Sequence, residues 1–209
     1  AVPKPMVMVA GRPILERIVL HLVGFGIRRI FLSVNYMGDM IEGYFKDGAE
    51  LGCNIEYVKE EKPLGTGGAL SLLTEKPDHP VLMLNGDLLT QFNVGNLLSF
   101  HAGGGFKATV GVHEYAHTVP YGVVEREGDR ITGIREKPTQ TWLANAGIYV
   151  IEPDLVGRVP KDTYFPLPAL VEECIECGEA VGAFPIEEDW IDVGHPKELR
   201  LARGERDKP

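Results

Sequence analysis

The sequence predicts an α/β domain of Rossmann-like, three-layer form around a mixed, mainly parallel central sheet. Three observations carry this expectation. Helical and extended apolar patterns alternate through the first half, the rhythm changes after Lys107, and two apolar runs end on an aspartate beside a glycine. Alternating strands and helices bury their apolar surfaces best as a parallel sheet covered on both faces, joined by right-handed crossovers.

The elements follow in order. Pro13 suits the first turn of a helix, and Ile14, Leu15, Ile18, Val19, Leu22 and Val23 then form one apolar face that Gly24 and Gly26 end. Residues 28–34 (RRIFLSV) read as a buried strand, and Met40, Ile41, Tyr44 and Phe45 mark a second helix. Residues 54–58 read as a strand, 66–73 as a short helix and 81–84 as another strand. After Lys107, residues 108–112, 122–125, 130–134 and 146–151 are strand-like, with Glu127-Gly128-Asp129 as a hairpin turn. A helix over residues 170–177 and a strand over 181–186 complete the pattern. Neither a repeat nor a linker interrupts it, which predicts one domain over residues 1–209.

Composition narrows the function. With 44% hydrophobic and 24% charged residues, the 209-residue chain has enough apolar surface for a sizeable core. A formal net charge of −9 argues against nucleic acid or an anionic membrane as partner. It leaves room for a phosphorylated ligand, which local cations, backbone N–H groups and a metal can hold. Cys53, Cys174 and Cys177 do not look like a secreted disulfide framework, and Cys174 and Cys177 fall in a helical pattern without a second metal-binding pair. No apolar run has the length of a membrane span and no signal peptide is visible, so the expectation is a cytoplasmic protein.

Several stretches place glycine or charge where packing alone does not ask for it. Asp87, in Asn85-Gly86-Asp87, falls at the carboxyl end of a strand, where ligands of open α/β sheets sit. Asp192 repeats the pattern in Trp190-Ile191-Asp192-Val193-Gly194. Each alone reads equally as a turn; together they suit a hard divalent cation such as Mg2+, which takes one or two carboxylates plus substrate phosphates. Lys4, between Pro3 and Pro5, is either a held ammonium or a solvated lysine. Gly65, Thr66, Gly67 and Gly68 open a helix and permit close approach to a planar or anionic ligand, or simply start the helix. Glu136, Lys137 and Asn145 can meet sugar hydroxyls and a phosphate, or form a solvated charged run.

The segments "PKPMVMVAGRPILERI", "EEKPLGTGGAL", "LNGDLLT", "PYGVVE", "REKP", "NAGIYVI" and "VGAFPIEEDWIDVGHP" occur in order over nearly the whole chain. In these the chain resembles the sugar-phosphate nucleotidyltransferases, or nucleoside-diphosphate-sugar pyrophosphorylases. It looks most like the branch related to mannose-1-phosphate guanylyltransferases, which includes forms carrying regulatory CBS domains. The resemblance implies formation of an NDP-sugar and pyrophosphate from an NTP and a sugar-1-phosphate. By it, Asp87 and Asp192 hold Mg2+, and Lys4 stabilises the nucleotide phosphates. Gly65, Thr66 and Gly68 lie against base and ribose. Gly122, Glu136 and Asn145 bind sugar hydroxyls, with Lys137 on the sugar phosphate. Glu60 or Glu61 precedes the glycine turn where the family reads the base edge. A carboxylate only accepts hydrogen bonds, and guanine offers two adjacent donors, so GTP is the expected nucleotide.

The pattern departs from the family in one place. The glycine-rich signature loop and the strand before it do not precede Pro3-Lys4-Pro5; Ala1-Val2 runs directly into that segment. The expectation is that this strand and loop belong to the protein but fall outside these residues. The competing reading is a catalytically silent subunit that senses nucleotide-sugars. A glycosyltransferase fits less well, because Asp87 is followed by Leu88-Leu89 and no Asp-x-Asp metal motif forms. Homo-oligomerisation and additional domains, CBS domains among them, stay open.

Overall fold

The computed structural model describes residues 2–194; the His195-Pro196 end of the last quoted segment lies outside them. A 3-10 turn at Lys4–Met6 leads into the small hairpin β1 (Met8–Val9) and β2 (Arg12–Pro13), then α1 (Ile14–Gly24). There follow β3 (Arg29–Val34), α2 (Gly38–Phe45), β4 (Asn54–Lys59), α3 (Gly65–Gly68), β5 (Val81–Leu84) and β6 (Leu88–Thr90). The second half comprises α4 (Val94–Gly104), β7 (Ala108–Thr118), β8 (Val123–Glu127), β9 (Arg130–Arg135), β10 (Thr139–Ile151), α5 (Pro153–Val156), α6 (Leu167–Glu176), β11 (Val181–Pro185) and β12 (Trp190–Asp192). No helix among the described residues is long and apolar enough to cross a membrane.

The central strands run in the order β11-β7-β10-β5, with β3 and β4 as a separate parallel pair. β5, β7 and β11 point one way, and β10 alone runs against them. The sheet is therefore mainly parallel by strand direction, while the ladders around β10 are antiparallel. Side chains of β10 alternate with the two-residue period of a strand. Ile148 and Val150 pack with α1, α2 and α4 residues such as Val19, Ile41 and Leu97. Tyr149 and Ile151 pack on the other face with Leu155 of α5 and Leu167 and Leu170 of α6. These two apolar clusters make the three layers that the alternating pattern predicts. Among the described residues, β3 has a ladder partner only in β4, and β5 only in β10, although Ile30, Leu32, Leu82 and Leu84 share one cluster.

Two features exceed the sequence reading. Residues 94–104 form α4, capped by Asn93, whose Oδ1 accepts the Asn96 N–H at 2.9 Å. Gly95, Gly103 and Gly104 conceal this helix, because glycine lowers helical propensity. β7 and β10 also continue past the core as a paired arm, with Tyr115 opposite Trp142 and both rings about half exposed. The expected strand ends at residue 112 and start at residue 146 mark where burial stops, not where pairing stops.

Candidate active site

β5 delivers Asn85-Gly86-Asp87 at its carboxyl end, and β12 returns antiparallel to β6 with Asp192 opposite Leu88. Val193 N–H donates to the Asp87 carbonyl at 3.0 Å, so the two aspartates stand on directly tied backbone. The Lys4–Met6 turn crosses the same spot. Gly86 leaves room for Pro5, whose Cγ lies 3.4 Å from where a Cβ on Gly86 would be. Lys4 Nζ lies 3.5 Å from the equivalent position at Gly194. Asp192 Oδ1 accepts the Gly194 N–H at 2.7 Å, which leaves its second oxygen for a ligand.

The Asp87 carboxyl is held above the ordinary carboxylate range, chiefly by burial and then by the charge of Asp192, with Lys4 acting the other way. Two partly buried carboxylates, with one lysine nearby, form a donor set suited to a hard divalent cation. Among the described residues no group of three or more His, Cys, Asp or Glu side chains could hold a metal. The pair thus matches an ion that completes its coordination with substrate phosphates and water.

The Asn145 segment reaches the same place. β10 bulges between Asn145 and Tyr149. In this bulge Asn145 Oδ1 accepts the Gly147 N–H at 2.9 Å, and its amide nitrogen donates to the Tyr149 hydroxyl. Asn85 N–H donates to Gly147 O at 2.9 Å, which binds the bulge to the aspartate turn. Gly147 has φ +70°, a conformation that favours glycine, and a Cβ there would crowd the Asn85 side-chain amide nitrogen at 2.5 Å. Trp190, two residues before Asp192, donates its indole N–H to Ala146 O at 2.9 Å and stacks on His113 at 5.1 Å between ring centroids. Asn85, Trp190 and His113 therefore join the site's frame. Of these, Asn85 and Trp190 stand inside the motifs that carry the aspartates, whereas His113 has no sequence signal.

Gly122 and Glu136 flank the β8–β9 hairpin and meet across its base. A Cβ on Gly122 would lie 3.0 Å from Glu136 Oε2. Lys137 follows in a left-handed conformation, φ +43°. Among the described residues, no hydrogen bond or ion pair links Glu136 or Lys137 to the aspartate pair. The structure brings Gly122 to Glu136, and it ties the Asn145 bulge to the Asn85-Gly86-Asp87 turn through the Asn85–Gly147 hydrogen bond.

The glycine turn after β4 is tied to residues 162–167. Phe165 N–H donates to Leu64 O at 2.7 Å, Gly67 N–H to Phe165 O at 2.9 Å, and Leu167 N–H to Thr66 Oγ1 at 2.9 Å. Lys62 pairs with Asp162 at 3.2 Å. A Cβ on Gly65 would meet Phe165 O at 3.0 Å, and one on Gly68 would meet Thr163 O at 2.8 Å. Each of these glycines thus has a packing reason in addition to the ligand role that the resemblance implies. Glu60 accepts the Leu64 N–H at 2.9 Å through Oε2 and the Ser33 hydroxyl through Oε1, whereas Glu61 is exposed. Fixed on both oxygens, Glu60 is the oriented carboxylate of the two, with lone pairs remaining.

Comparison with known proteins bears on the family and the fold. The nucleotidyl transferase family profile matches residues 1–206. A mannose-1-phosphate guanyltransferase of Gibberella zeae is 33% identical over 215 residues, covering 95% of this chain and 57% of that protein. A mannose-1-phosphate guanylyltransferase of Mycobacterium tuberculosis is 32% identical, covering 98% of this chain and 58% of its own length. The chain thus spans less than two thirds of these relatives. Among solved structures, HddC from Yersinia pseudotuberculosis superposes with a TM-score of 0.73 at 24% identity, covering 97% of this chain and 89% of that one. That likeness confirms the fold. The family match and the curated relatives go further: this chain belongs to the nucleotidyl transferase family.

Proposed function

We propose that the chain is the catalytic domain of a Mg2+-dependent, cytoplasmic enzyme that makes an NDP-sugar and pyrophosphate from an NTP and a sugar-1-phosphate. The observation that carries this reading is the convergence of Asp87, Asp192 and Lys4 at the carboxyl end of β5. Asp87 and Asp192 would hold the metal, which when bound would supply neutralisation of phosphate charge. Lys4 stabilises the nucleotide phosphates. Glu60, Gly65, Thr66 and Gly68 receive base and ribose, with Glu61 at the rim. Gly122, Glu136 and Asn145 receive sugar hydroxyls, and Lys137 the sugar phosphate. A phosphate oxygen of the sugar-1-phosphate attacks the α-phosphorus in line, forming the new P–O bond as the bond to the pyrophosphate leaving group breaks. This chemistry asks the chain for positioning and charge stabilisation and for no protein nucleophile.

Guanine suits Glu60, because an oriented carboxylate accepts from the N1–H and N2–H2 donors of that base. The named relatives act on mannose-1-phosphate, which makes mannose-1-phosphate the first sugar to try. The test is a panel of NTPs against sugar-1-phosphates, scored for pyrophosphate with the full-length protein. GTP pairings should turn over fastest. Clear turnover with another NTP and none with any GTP pairing would contradict the guanine assignment.

A further inference from the structure

Tyr164 sits beside the glycine turn, and no role in the proposed reaction has yet been given to it. The residue is 66% exposed, although the segment that carries it is hydrogen-bonded to the glycine turn. Its neighbour Phe165 turns inward and packs with the α5–α6 cluster, while Tyr164 stays open to solvent. The ring edge lies against Gly65: Tyr164 Cε2 is 3.2 Å from where a Cβ on that glycine would stand. Gly65 itself holds φ +76°, and the Phe165 carbonyl fills its side-chain space. The chain therefore keeps both a bare backbone and an uncovered aromatic ring at one point.

Topology puts that point at the ligand edge of the sheet. β10 ends at the edge where β5 and β7 begin, since Ile151 pairs with Val81 and Ala108. β11 starts at that same edge, with Val181 beside Ala108. Residues 157–166 thus climb to the carboxyl edge before α6 descends, and they meet the turn that leaves β4. A continuous hydrogen-bonded path fixes the ring relative to the base-reading carboxylate. Glu60 Oε2 accepts from Leu64 N–H, and the Leu64 carbonyl accepts from Phe165 N–H. Leu64 thus ties the acceptor for the base edge, through its N–H, and the backbone that carries the ring for the base face, through its carbonyl.

We propose that Tyr164 is the stacking platform for the nucleobase, with Glu60 taking the base edge. This inference rests on the reading of residues 60–68 as the nucleotide site. Every nucleobase presents a π-face, so the ring adds affinity for all NTPs, and discrimination between them stays with Glu60. Because the ring is exposed, removing it should leave the thermal midpoint unchanged.

The experiment compares the full-length wild type with Tyr164→Ala and Tyr164→Phe, by calorimetric titration with GTP and with ATP in Mg2+ and by steady-state kinetics. Tyr164→Ala should weaken both nucleotides by about tenfold, raising KM for the NTP and leaving kcat and KM for the sugar-1-phosphate unchanged. Tyr164→Phe should restore wild-type values. Unaltered nucleotide affinity in Tyr164→Ala, or a Phe variant as weak as Ala, would overturn the stacking role while leaving the enzymatic reading intact. A wild type that binds no NTP would overturn both.

Discussion

Asp87→Asn should abolish NDP-sugar formation, lowering kcat by about a hundredfold to a thousandfold or more, the scale expected when one charged contact to the developing phosphoryl transition state is lost. The fold should not suffer. Asp87 is half-buried beside Asp192, and its carboxyl is raised above the ordinary range mainly by that burial. A carboxyl whose folded value exceeds its unfolded value favours the folded state while protonated. That contribution disappears as pH rises through the interval between the two values. At neutral pH the ionised group therefore costs stability, and the neutral amide does not. Measured without metal at pH 7, Asp87→Asn should melt at or above the wild type. An inactive variant with a lowered melting point would assign Asp87 to folding, and near-normal activity would remove it from the site.

The second large effect is expected at Gly68. A Cβ there would meet Leu64 Cβ at 2.7 Å and the Thr163 carbonyl at 2.8 Å, and the latter is backbone that cannot rotate away. Gly68→Ala must push the turn off residues 162–167 and strain the Phe165–Leu64 and Leu167–Thr66 hydrogen bonds. Overpacking of this kind costs roughly 2 kcal/mol. In a domain of this size that lowers Tm by about 4–8 °C. Because the moved turn also carries Glu60 and Gly65, nucleotide affinity should fall together with Tm. Calorimetry and GTP titration on the same variant check both; a loss of stability with unchanged GTP affinity would separate this turn from the nucleotide site.

The two predictions differ in how far sequence alone reaches. Asp87 and Asp192 are visible because each ends an apolar run beside a glycine, a local pattern that strand geometry converts into a position at the sheet edge. The early strands and helices are visible for the same reason: their apolar periods are clean. α4 is hidden because its glycines weaken the helical signal, and its cap and its packing of Leu97 decide the outcome. The arm of β7 and β10 is hidden because its residues beyond the core face solvent on both sides. The contacts that organise the site are nonlocal. Glu60 is braced by Ser33 across the β3–β4 pair, Trp190 reaches Ala146, and Tyr164 meets Gly65. Each depends on register and chain direction, which no short window of sequence contains.

The central claim is that this site transfers a nucleotidyl group and does not merely sense its products. The most direct measurement follows pyrophosphate and NDP-sugar together in the full-length protein with Mg2+, GTP and a sugar-1-phosphate. The account predicts their appearance in a one-to-one ratio, dependent on Mg2+ and lost in Asp87→Asn. Tight binding of the NDP-sugar with no pyrophosphate release from any NTP and sugar-1-phosphate pairing would contradict it and identify a silent regulatory subunit.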